Sequence, residues 1–215
     1  MDRIQIICSY LKPCYTFADV ACDHGYCTEY MLKNDLCRKA VISDVSAKSL
    51  EKAEKLLSGY IKNGRCRSVC CDGLEKIDGA DEVLIAGIGG EEIVKILKNS
   101  YIPETFIFQP MKNAEALRAY LLENGCKIQT DDVFTDGKNY YFIISGNSAG
   151  CDGNYTKAQL LYGRDSLKNS VFCEFLKAEL DKKQSYLSRP MTDENRAGLE
   201  NTIEFMQGVL NGEIE

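Results

Sequence analysis

Residues 17–28 read FADVACDHGYCT, and the interpretation of the whole chain starts from this stretch. A short apolar run leads directly into Cys22, Asp23, His24 and Gly25, and His24 is the only histidine of the chain. Apolar runs of this length that stop at polar residues and glycine are typical of strands buried on both faces of a sheet. The stretch therefore predicts a buried strand whose carboxyl end carries polar chemistry.

Four similar apolar runs follow, and helix-like segments separate them. The runs are AVISDV at 40–45, RSVCC at 67–71, DEVLIAG at 81–87 and TFIFQP at 105–110. The intervening segments place apolar residues at helical spacing over 46–61, from Gly90 onward, and over 114–125. Ser46 is the predicted N-cap of the first segment, and Gly125 ends the third. This alternation predicts an α/β fold, with a parallel sheet covered by helices on both faces.

The two ends of this region add elements of other kinds. Apolar residues at helical spacing predict a short leading helix that stops before Pro13. Residues 127–145 read as two strands joined at Asp136-Gly137, a dipeptide typical of hairpin turns. We therefore expect the mostly parallel sheet to end in an antiparallel hairpin.

The last part of the chain predicts a helical appendage. A stretch rich in Gly, Ser and Asn at 145–155 is interpreted as a linker. Residues 170–189 and a segment capped by Thr192 follow as two helices with a coiled-coil-like seam. We predict one domain over residues 1–150 and a helical hairpin over residues 151–215. The seam spacing leaves two roles open for the hairpin, packing and the binding of a partner.

Composition sets limits on the class of protein. The 215 residues are 45% hydrophobic and 27% charged, the balance of an ordinary folded protein with one sizeable core. No stretch approaches the roughly 18 uncharged apolar residues of a membrane span, and the first residues are too charged for a signal peptide. We expect a cytoplasmic protein without a membrane partner, and a monomer.

The eleven cysteines have irregular spacings and several lie inside apolar runs, so we expect reduced, buried thiols and no disulfides. Cys22, His24 and Cys27 lie close together, but the chain has no C-x-x-C pair, so no metal is expected. The net charge of −6 argues against a strongly basic nucleic-acid-binding surface, although it is compatible with a local basic patch.

Acids and glycines stand at the ends of four consecutive predicted strands. They are Asp19, Asp44, Asp72 with Gly73, and the glycines of residues 87–90. Because ligands bind beyond the carboxyl ends of parallel strands, these groups are expected to lie together. Asp44 follows Gly25 by about 20 residues, the separation at which a second-strand acid meets a ribose in dinucleotide-binding folds. The pattern predicts a nucleoside ligand.

The first loop distinguishes two nucleoside cofactors. It lacks the motif G-x-G-x-x-G of a pyrophosphate site, and Asp23 would repel a pyrophosphate. S-adenosylmethionine has a ribose and an adenine but no phosphates, and Asp19 and Asp23 would attract its sulfonium cation. Asp72 is then expected at the adenine amino group and Leu74 against the adenine ring. The strand ends thus predict a Rossmann-like class I methyltransferase.

Five motifs carry a more specific resemblance. They are ADVACDHGY at 18–26, DGLEKI at 72–77, IAGIGGEEI at 85–93, FQPMKNAEALRAYL at 108–121 and DGKNYYFI at 136–143. In this order and spacing they resemble the TrmK-type bacterial tRNA methyltransferases, which methylate N1 of the adenine at position 22 of tRNA with S-adenosylmethionine. The resemblance covers residues 1–146, and the helices after residue 155 are similar to an appendage of that family. It implies tRNA as the partner.

The resemblance, together with the strand-end acids, implies a set of site residues. Asp23 and His24 are the catalytic candidates. The implied cofactor-binding residues are Asp19, Cys22, Asp23, Gly25, Tyr26, Asp44, Val45, Asp72, Gly73, Leu74 and Gly87. The implied substrate-binding residues are Arg3, Tyr26, Ile88, Gly89, Gly90, Gln109, Pro110 and Tyr140.

The chemistry of N1 methylation assigns roles to several of these residues. N1 of adenine carries an in-plane lone pair, so catalysis rests on positioning the base and not on deprotonating it. Because N1 lies on the Watson–Crick edge, the base has to be unpaired or flipped; Tyr26 or Tyr140 can stack on it, and Gln109 can address its edge. Asp23 and His24 can stabilise the charge that develops on the base. The alternative for His24 is a structural role, a backbone hydrogen bond that holds the loop.

Two other functions stay open at the level of sequence. One is a class I methyltransferase that acts on a small molecule or a protein, which the acidic net charge would suit. The other is a non-catalytic module that binds a nucleoside or RNA, which the intact strand-end acids argue against.

Overall fold

The computed structural model describes residues 1–150 and 153–214. This part of the chain contains one mixed sheet of seven strands. The strands are β1 (Cys14–Val20), β2 (Cys37–Asp44), β3 (Cys66–Cys70), β4 (Glu82–Ala86), β5 (Thr105–Gln109), β6 (Lys127–Thr135) and β7 (Tyr140–Asn147). Their order is β3-β2-β1-β4-β5-β7-β6, with β1 to β5 parallel and β7 antiparallel to both neighbours. The predicted mostly parallel α/β sheet with an antiparallel end is confirmed.

Helices cover both faces of this sheet. They are α1 (Arg3–Tyr10), α2 (Tyr26–Lys33), α3 (Ala47–Leu56), α4 (Ser58–Lys62), α5 (Gly90–Asn99), α6 (Ala114–Glu123), α7 (Lys157–Tyr162), α8 (Ser170–Tyr186) and α9 (Asp193–Asn211). Helices α1 to α4 share an apolar core with Phe17 of β1, and α5 and α6 share a second core with Ala18 and Val20. Because successive strand residues point to opposite faces, β1 serves both cores. Within the described residues, no helix is long and apolar enough to cross a membrane.

The helix predicted over residues 46–61 is interrupted. Helix α3 ends at Leu56, and α4 begins at Ser58. The fully buried Leu57 joins them with φ −91° and ψ 10°, outside the helical region. The helical segment predicted over residues 46–61 is therefore present as two consecutive helices. Ser46 caps α3 as predicted, because its hydroxyl accepts a hydrogen bond from the backbone N–H of Ser49.

The predicted turn at Asp136-Gly137 joins β6 and β7. The Asp136 carboxylate accepts hydrogen bonds from the backbone N–H groups of Lys138 and Asn139 at 2.9 and 3.0 Å. Gly137 adopts a φ of 90°, a conformation that glycine takes at little cost. The predicted hairpin is confirmed.

A third apolar cluster attaches the C-terminal helices to the sheet. Phe172 and Leu176 of α8 and Ile203 and Met206 of α9 pack with Val133 of β6. The predicted pair of C-terminal helices is confirmed, and the pair lies against the antiparallel strands.

The predicted linker and domain boundary fall partly on residues 151 and 152, which lie outside the described residues. Of the predicted linker residues 145–155, residues 145–147 belong to β7. The division of the chain at residue 150 stays a prediction.

A buried ion pair connects α6, β6 and α7. The side chains of Arg118 and Asp131 are fully buried, and Arg118 Nε lies 2.8 Å from Asp131 Oδ1. Arg118 Nη1 donates to the backbone carbonyl oxygens of Leu160 and Leu161 at 2.9 and 3.2 Å. Buried charges of this kind are tolerated only when they are paired and hydrogen-bonded. The sequence did not predict this pair, because an arginine in an amphipathic helix normally faces solvent.

Candidate functional site

A cleft opens at the carboxyl edge of the parallel strands, where β1 and β4 are neighbours and the strand order reverses. It consists of two adjoining cavities of about 550 and 230 Å³, which share Ala21, Asp44 and Ile88. Open α/β sheets bind their ligands at this position. The cleft is therefore the candidate site.

Most of the predicted site residues line this cleft. In the first cavity they are Arg3, Asp19, Cys22, Asp23, His24, Gly25, Tyr26, Asp44, Gly87 and Ile88. In the second cavity they are Asp44, Val45, Asp72, Gly73 and Ile88. The acids and glycines of the four predicted strand ends thus meet at one edge of the sheet, as a parallel arrangement requires.

The turn after β1 has a strained backbone. Ala21 adopts a φ of 58°, a left-handed conformation that costs a non-glycine residue about 1–2 kcal/mol. The Cys22 backbone N–H donates to the carbonyl oxygen of Ser43 at 2.9 Å and ties the turn to β2. Gly25 lies so close to α3 that a Cβ at this position would be 3.2 Å from the Cβ of Ala53. The neighbouring elements therefore hold the turn in one shape.

Asp19 is the most buried acid of the cleft, with 7% of its surface exposed. Its carboxylate accepts a hydrogen bond from Thr28 Oγ1 at 2.8 Å. Burial raises the pKa of Asp19 to about 6, and its hydrogen bonds oppose this shift only in part. A cation beside Asp19 would favour the ionised carboxylate, so the first cavity suits a positively charged ligand.

Asp23, in contrast, is half exposed, and both of its carboxylate oxygens are engaged. Lys52 Nζ lies 2.7 Å from Oδ1, and His24 Nε2 lies 3.0 Å from Oδ2. The Lys52 ammonium holds the pKa of Asp23 below its usual range. The His24 ring stacks on Tyr26 with the ring centroids 5.3 Å apart. The ring makes no hydrogen bond to a backbone group of residues 1–150 or 153–214, so the structural alternative for His24 gains no support.

Asp44 lies between the two cavities. One carboxylate oxygen accepts a hydrogen bond from the Ser46 backbone N–H at 2.7 Å, which fixes the side chain at the start of α3. The next residue, Val45, is 74% exposed and lines the second cavity. An acid placed between two cavities suits the paired hydroxyls of a ribose, because a carboxylate accepts two hydrogen bonds at once.

The loop after β4 and the end of β5 are joined by backbone hydrogen bonds. The Gly87 N–H donates to the carbonyl oxygen of Gln109 at 3.1 Å, and the Met111 N–H donates to that of Ile88 at 2.8 Å. The two predicted substrate loops are therefore in contact. Four predicted substrate residues in these loops line neither cavity, namely Gly89, Gly90, Gln109 and Pro110.

Gln109 lies beneath two longer side chains. It is fully buried, and its Oε1 has no hydrogen-bond partner among the described residues. Its Nε2 lies 3.8 Å from Met111 Sδ, and Arg3 Nη1 donates to the same sulfur at 3.1 Å. Met111 is 49% exposed, and its sulfur lies between the Gln109 amide and the Arg3 guanidinium, so a ligand has to displace it to reach the amide.

Tyr140 does not lie at the cleft. Its ring packs edge-on against Phe175 of α8, with the ring centroids 5.6 Å apart. The next residue, Tyr141, lies on the other face of β7, where the Arg3 guanidinium is 5.6 Å from its ring centroid. Because side chains alternate along a strand, consecutive tyrosines face opposite sides of the sheet, and the motif does not show which one faces the site. Tyr141, and not Tyr140, is therefore the tyrosine that lies next to a residue of the cleft, Arg3.

Leu74 is another predicted site residue that does not line the cleft. It is 2% exposed and packs in the core on the α5 and α6 side of the sheet, so it lines neither cavity. The second cavity is completed by residues that the sequence did not suggest, namely Ala21, Glu92, Lys95 and Ile96. Three of these lie at helical spacing on α5, which is the signal that could have identified them.

The ten cysteines of the described residues are free, and seven of them are buried. Cys22 and Cys27 line the first cavity. Burial raises the pKa of the Cys22 thiol, so this side chain is an apolar wall residue and not a nucleophile at neutral pH. Across residues 1–150 and 153–214, no group of three His, Cys, Asp or Glu side chains is arranged to hold a metal ion.

The chain is similar to proteins that are described as methyltransferases. A family model described as a methyltransferase domain matches residues 1–144. A Mycoplasma pneumoniae relative, described as a candidate tRNA methyltransferase, is 29% identical over 151 residues, which cover 68% of this chain and 70% of the relative.

Two solved structures match nearly the whole chain. TrmK of M. capricolum, in complex with S-adenosyl-homocysteine, superposes with a TM-score of 0.88 at 21% identity and covers 97% of this chain and 96% of its own. The m1A22 tRNA methyltransferase TrmK of B. subtilis superposes with a TM-score of 0.82 at 25% identity and covers 97% of both chains. The resemblance to TrmK-type proteins that the motifs indicate is confirmed. Because the family model matches residues 1–144, more than half of the 215 residues, the chain belongs to the methyltransferase domain family.

Proposed function

We propose that this protein is an S-adenosylmethionine-dependent tRNA methyltransferase that methylates N1 of the adenine at position 22. The observation that carries the proposal is the extent of the structural match. The B. subtilis m1A22 enzyme covers 97% of this chain, whereas the methyltransferase domain itself ends at residue 144. The similarity therefore includes the C-terminal helices, which a general methyltransferase domain does not require.

The charges and shape of the cleft fit S-adenosylmethionine. When bound, this cofactor supplies a methyl group on a positively charged sulfur. Asp19 and Asp23 would face the cation, Asp44 the ribose, and Asp72 with Val45 the adenine. The first loop provides acids where a phosphate-binding loop provides glycines, so the same cleft is poorly suited to a dinucleotide.

The aromatic pair beside the first cavity suits an unpaired base. Tyr26 is 49% exposed, and its ring is stacked with that of His24. An adenine flipped out of the tRNA can stack on the Tyr26 ring beside His24, with its Watson–Crick edge toward the cavity. Asp23 and His24 then lie beside a ring that becomes cationic, where a carboxylate and a neutral imidazole stabilise the developing charge.

Gln109 suits the amino group of the same base. Its buried Oε1 is an acceptor without a partner among the described residues, and such an atom is costly unless a ligand or water completes it. An adenine amino group can donate to it once Met111 is displaced. We take Gln109 as the residue that recognises the base edge.

The partner and the location of the protein follow from this function. We expect tRNA as the macromolecular partner, and a monomer that works in the cytoplasm. We place α8 and α9 next to the tRNA, because the match with the B. subtilis m1A22 enzyme includes these helices.

The decisive experiment is methyl transfer to tRNA transcripts from labelled S-adenosylmethionine. We expect label in a transcript with adenine at position 22 and none in the same transcript with guanine there. Equal labelling of both transcripts would contradict the choice of position, and labelling of neither would contradict the activity.

Cofactor binding is tested separately by calorimetry on an Asp44→Ala variant. Loss of two charge-assisted hydrogen bonds is expected to weaken S-adenosylmethionine binding by about 100-fold. Glu51→Ala, which removes an exposed acid from α3, is the matched control and should leave the affinity unchanged. Unchanged affinity in Asp44→Ala would remove Asp44 from the site.

A further inference from the structure

Lys52 contacts the site, although the sequence suggested it neither as a catalytic nor as a binding residue. It lies on α3, and its Nζ is 2.7 Å from Asp23 Oδ1, while the other carboxylate oxygen is 3.0 Å from His24 Nε2. Asp23 is therefore held from two directions, by a cation on a helix and by a ring in its own loop. Arg3, Asp19 and Asp44 are the other charged groups that line this cavity besides Asp23.

The packing of α3 fixes where Lys52 stands. A Cβ at Gly25 would lie 3.2 Å from the Cβ of Ala53 and 3.1 Å from Cδ1 of Leu57, and both of these residues are fully buried. Gly25 therefore packs closely on α3. Because Lys52 directly precedes Ala53, this packing fixes the backbone of Lys52 relative to the turn. Lys52 is thus a fixed anchor for a carboxylate that is half exposed and would otherwise rotate.

The anchor determines the orientation of the His24 ring. Asp23 engages the ring at Nε2, and Tyr26 stacks on one face at an interplanar angle of 15°. The contacts with Asp23 and Tyr26 together fix the orientation of the His24 ring. In the neutral imidazole with its proton on Nε2, toward Asp23, the acceptor is Nδ1, which makes no hydrogen bond to the described residues.

We propose that Lys52 is a positioning residue for methyl transfer. It holds Asp23 so that this carboxylate orients His24 against Tyr26, and His24 presents Nδ1 to the amino group of the target base. That amino group becomes a stronger donor as positive charge develops on the ring, so a well-placed acceptor stabilises the transition state more than the ground state. The inference rests on the proposed function, and it divides the roles of the two catalytic candidates: Asp23 orients, and His24 touches the base.

The orientation is measurable without any methyl transfer, because the chain has a single histidine. In protein without a histidine tag, the two carbon-bound ring protons of His24 give one isolated pair of NMR signals. Stacking on Tyr26 shifts these signals upfield of their positions in the unfolded chain. We expect Lys52→Met to lose at least about half of this shift as the ring becomes mobile, and Lys52→Arg, which keeps the cation, to retain it.

Catalysis is measured on the same variants. We expect Lys52→Met to lower kcat for tRNA methylation by about tenfold, with the KM values for both substrates within about twofold, because positioning and not binding is lost. Lys52→Arg should restore kcat to within about twofold of the unmodified protein. Lys55→Met, which removes an exposed lysine of the same helix that forms no ion pair with the described residues, is the control for charge and should leave kcat unchanged.

The outcomes separate this inference from the proposed function. An unchanged ring shift or an unchanged kcat in Lys52→Met overturns the positioning role. So does a loss of kcat in Lys55→Met as large as that in Lys52→Met, which would indicate a general effect of charge. If the unmodified protein does not methylate tRNA, the proposed function fails, and with it the catalytic part of the inference, while the ring shift still decides whether Lys52 orients His24.

Discussion

Two parts of the molecule pair an acid with a cation in opposite surroundings. Where the C-terminal segment docks on the sheet, the side chains of Asp131 and Arg118 are both 0% exposed. At the cleft, the side chains of Asp23 and Lys52 are 46% and 50% exposed. Water weakens the second pair but does not reach the first. The same chemistry therefore supports the fold in one place and orients a reactive loop in the other.

The two regions also differ in how their buried acids are paired. At the docking region Arg118 Nε contacts both oxygens of Asp131, which also accepts a hydrogen bond from the Arg164 backbone N–H. At the cleft, Asp19 is buried and forms no ion pair with the described residues, and Ala21 keeps a left-handed backbone. The docking region therefore pairs its buried acid with a cation, although Arg118 Nη2 has no hydrogen-bond partner among the described residues, whereas the buried acid of the cleft is left for a ligand to pair.

The largest expected effect is the loss of the buried pair. Arg118→Met should lower the free energy of unfolding by about 3–5 kcal/mol, because Asp131 is left buried without its cation. Urea denaturation monitored by circular dichroism measures the loss. The double variant Arg118→Met with Asp131→Leu should lose less than the sum of the two single variants, since neither charge then stays buried alone. A loss below about 1 kcal/mol in Arg118→Met would mean that water reaches this pair.

The next effect concerns the buried acid of the cleft. The pKa of Asp19 is raised to about 6 in the fold, so the stability associated with its neutral form is present below about pH 4 and is lost as the pH rises through 6. Asp19→Asn removes this dependence. Between pH 4 and pH 8, the free energy of unfolding of this variant should rise by about 2–3 kcal/mol relative to that of the unmodified protein.

Denaturation at pH 4, 6 and 8 checks this prediction. Asp23→Asn is the matched control in the same cavity. Because the pKa of Asp23 is lowered by Lys52, the change for this variant should run in the opposite direction and be small. Parallel pH profiles for the unmodified protein and Asp19→Asn would show that Asp19 is hydrated.

A smaller effect is expected from the backbone of the turn. Ala21→Gly should raise the free energy of unfolding by about 0.5–1 kcal/mol, because relief of the left-handed strain exceeds the added entropy of the unfolded chain. Thermal and urea denaturation measure it. Ala116→Gly in α6 is the control, and there the same exchange should destabilise by about 1 kcal/mol. If both variants were destabilised alike, Ala21 would carry no strain.

The smallest effect on stability is expected at the exposed pair. Lys52→Met should change the free energy of unfolding by less than about 1 kcal/mol, since exposed ion pairs contribute little. Urea denaturation of this variant beside Arg118→Met compares the two regions directly. A loss similar to that of Arg118→Met would contradict the view that the cleft pair serves orientation and not the fold.

The strand ends of the site were predictable because of a simple geometric rule. In a parallel sheet, residues at the carboxyl ends of the strands meet at one edge wherever they stand in the sequence. Asp19, Asp44 and Asp72 therefore came together in the cleft as expected. The helix pair and the hairpin turn followed from local patterns in the same way.

Other features depend on packing between distant segments, which no local pattern records. Tyr140 and Tyr141 are equivalent in sequence, and only the arrangement of β7 against α8 decides that Tyr141 faces Arg3. Leu74 follows two cleft residues but turns into the core. Lys52 reads as one of several lysines on the solvent face of α3, and its contact with Asp23 exists because Ala53 packs on the β1 turn.

The sequence by itself determined the α/β alternation, the acids at the strand ends and the absence of a phosphate-binding loop, because each of these is a property of consecutive residues and their spacing. The tertiary structure alone decided which charges are buried and which are exposed. Both Arg118 and Lys52 lie on helices. Arg118 is buried beneath α7, whereas Lys52 is half exposed beside the cleft. The reason is physical: the effect of a charge depends on the water around it, and long-range packing determines how much water remains.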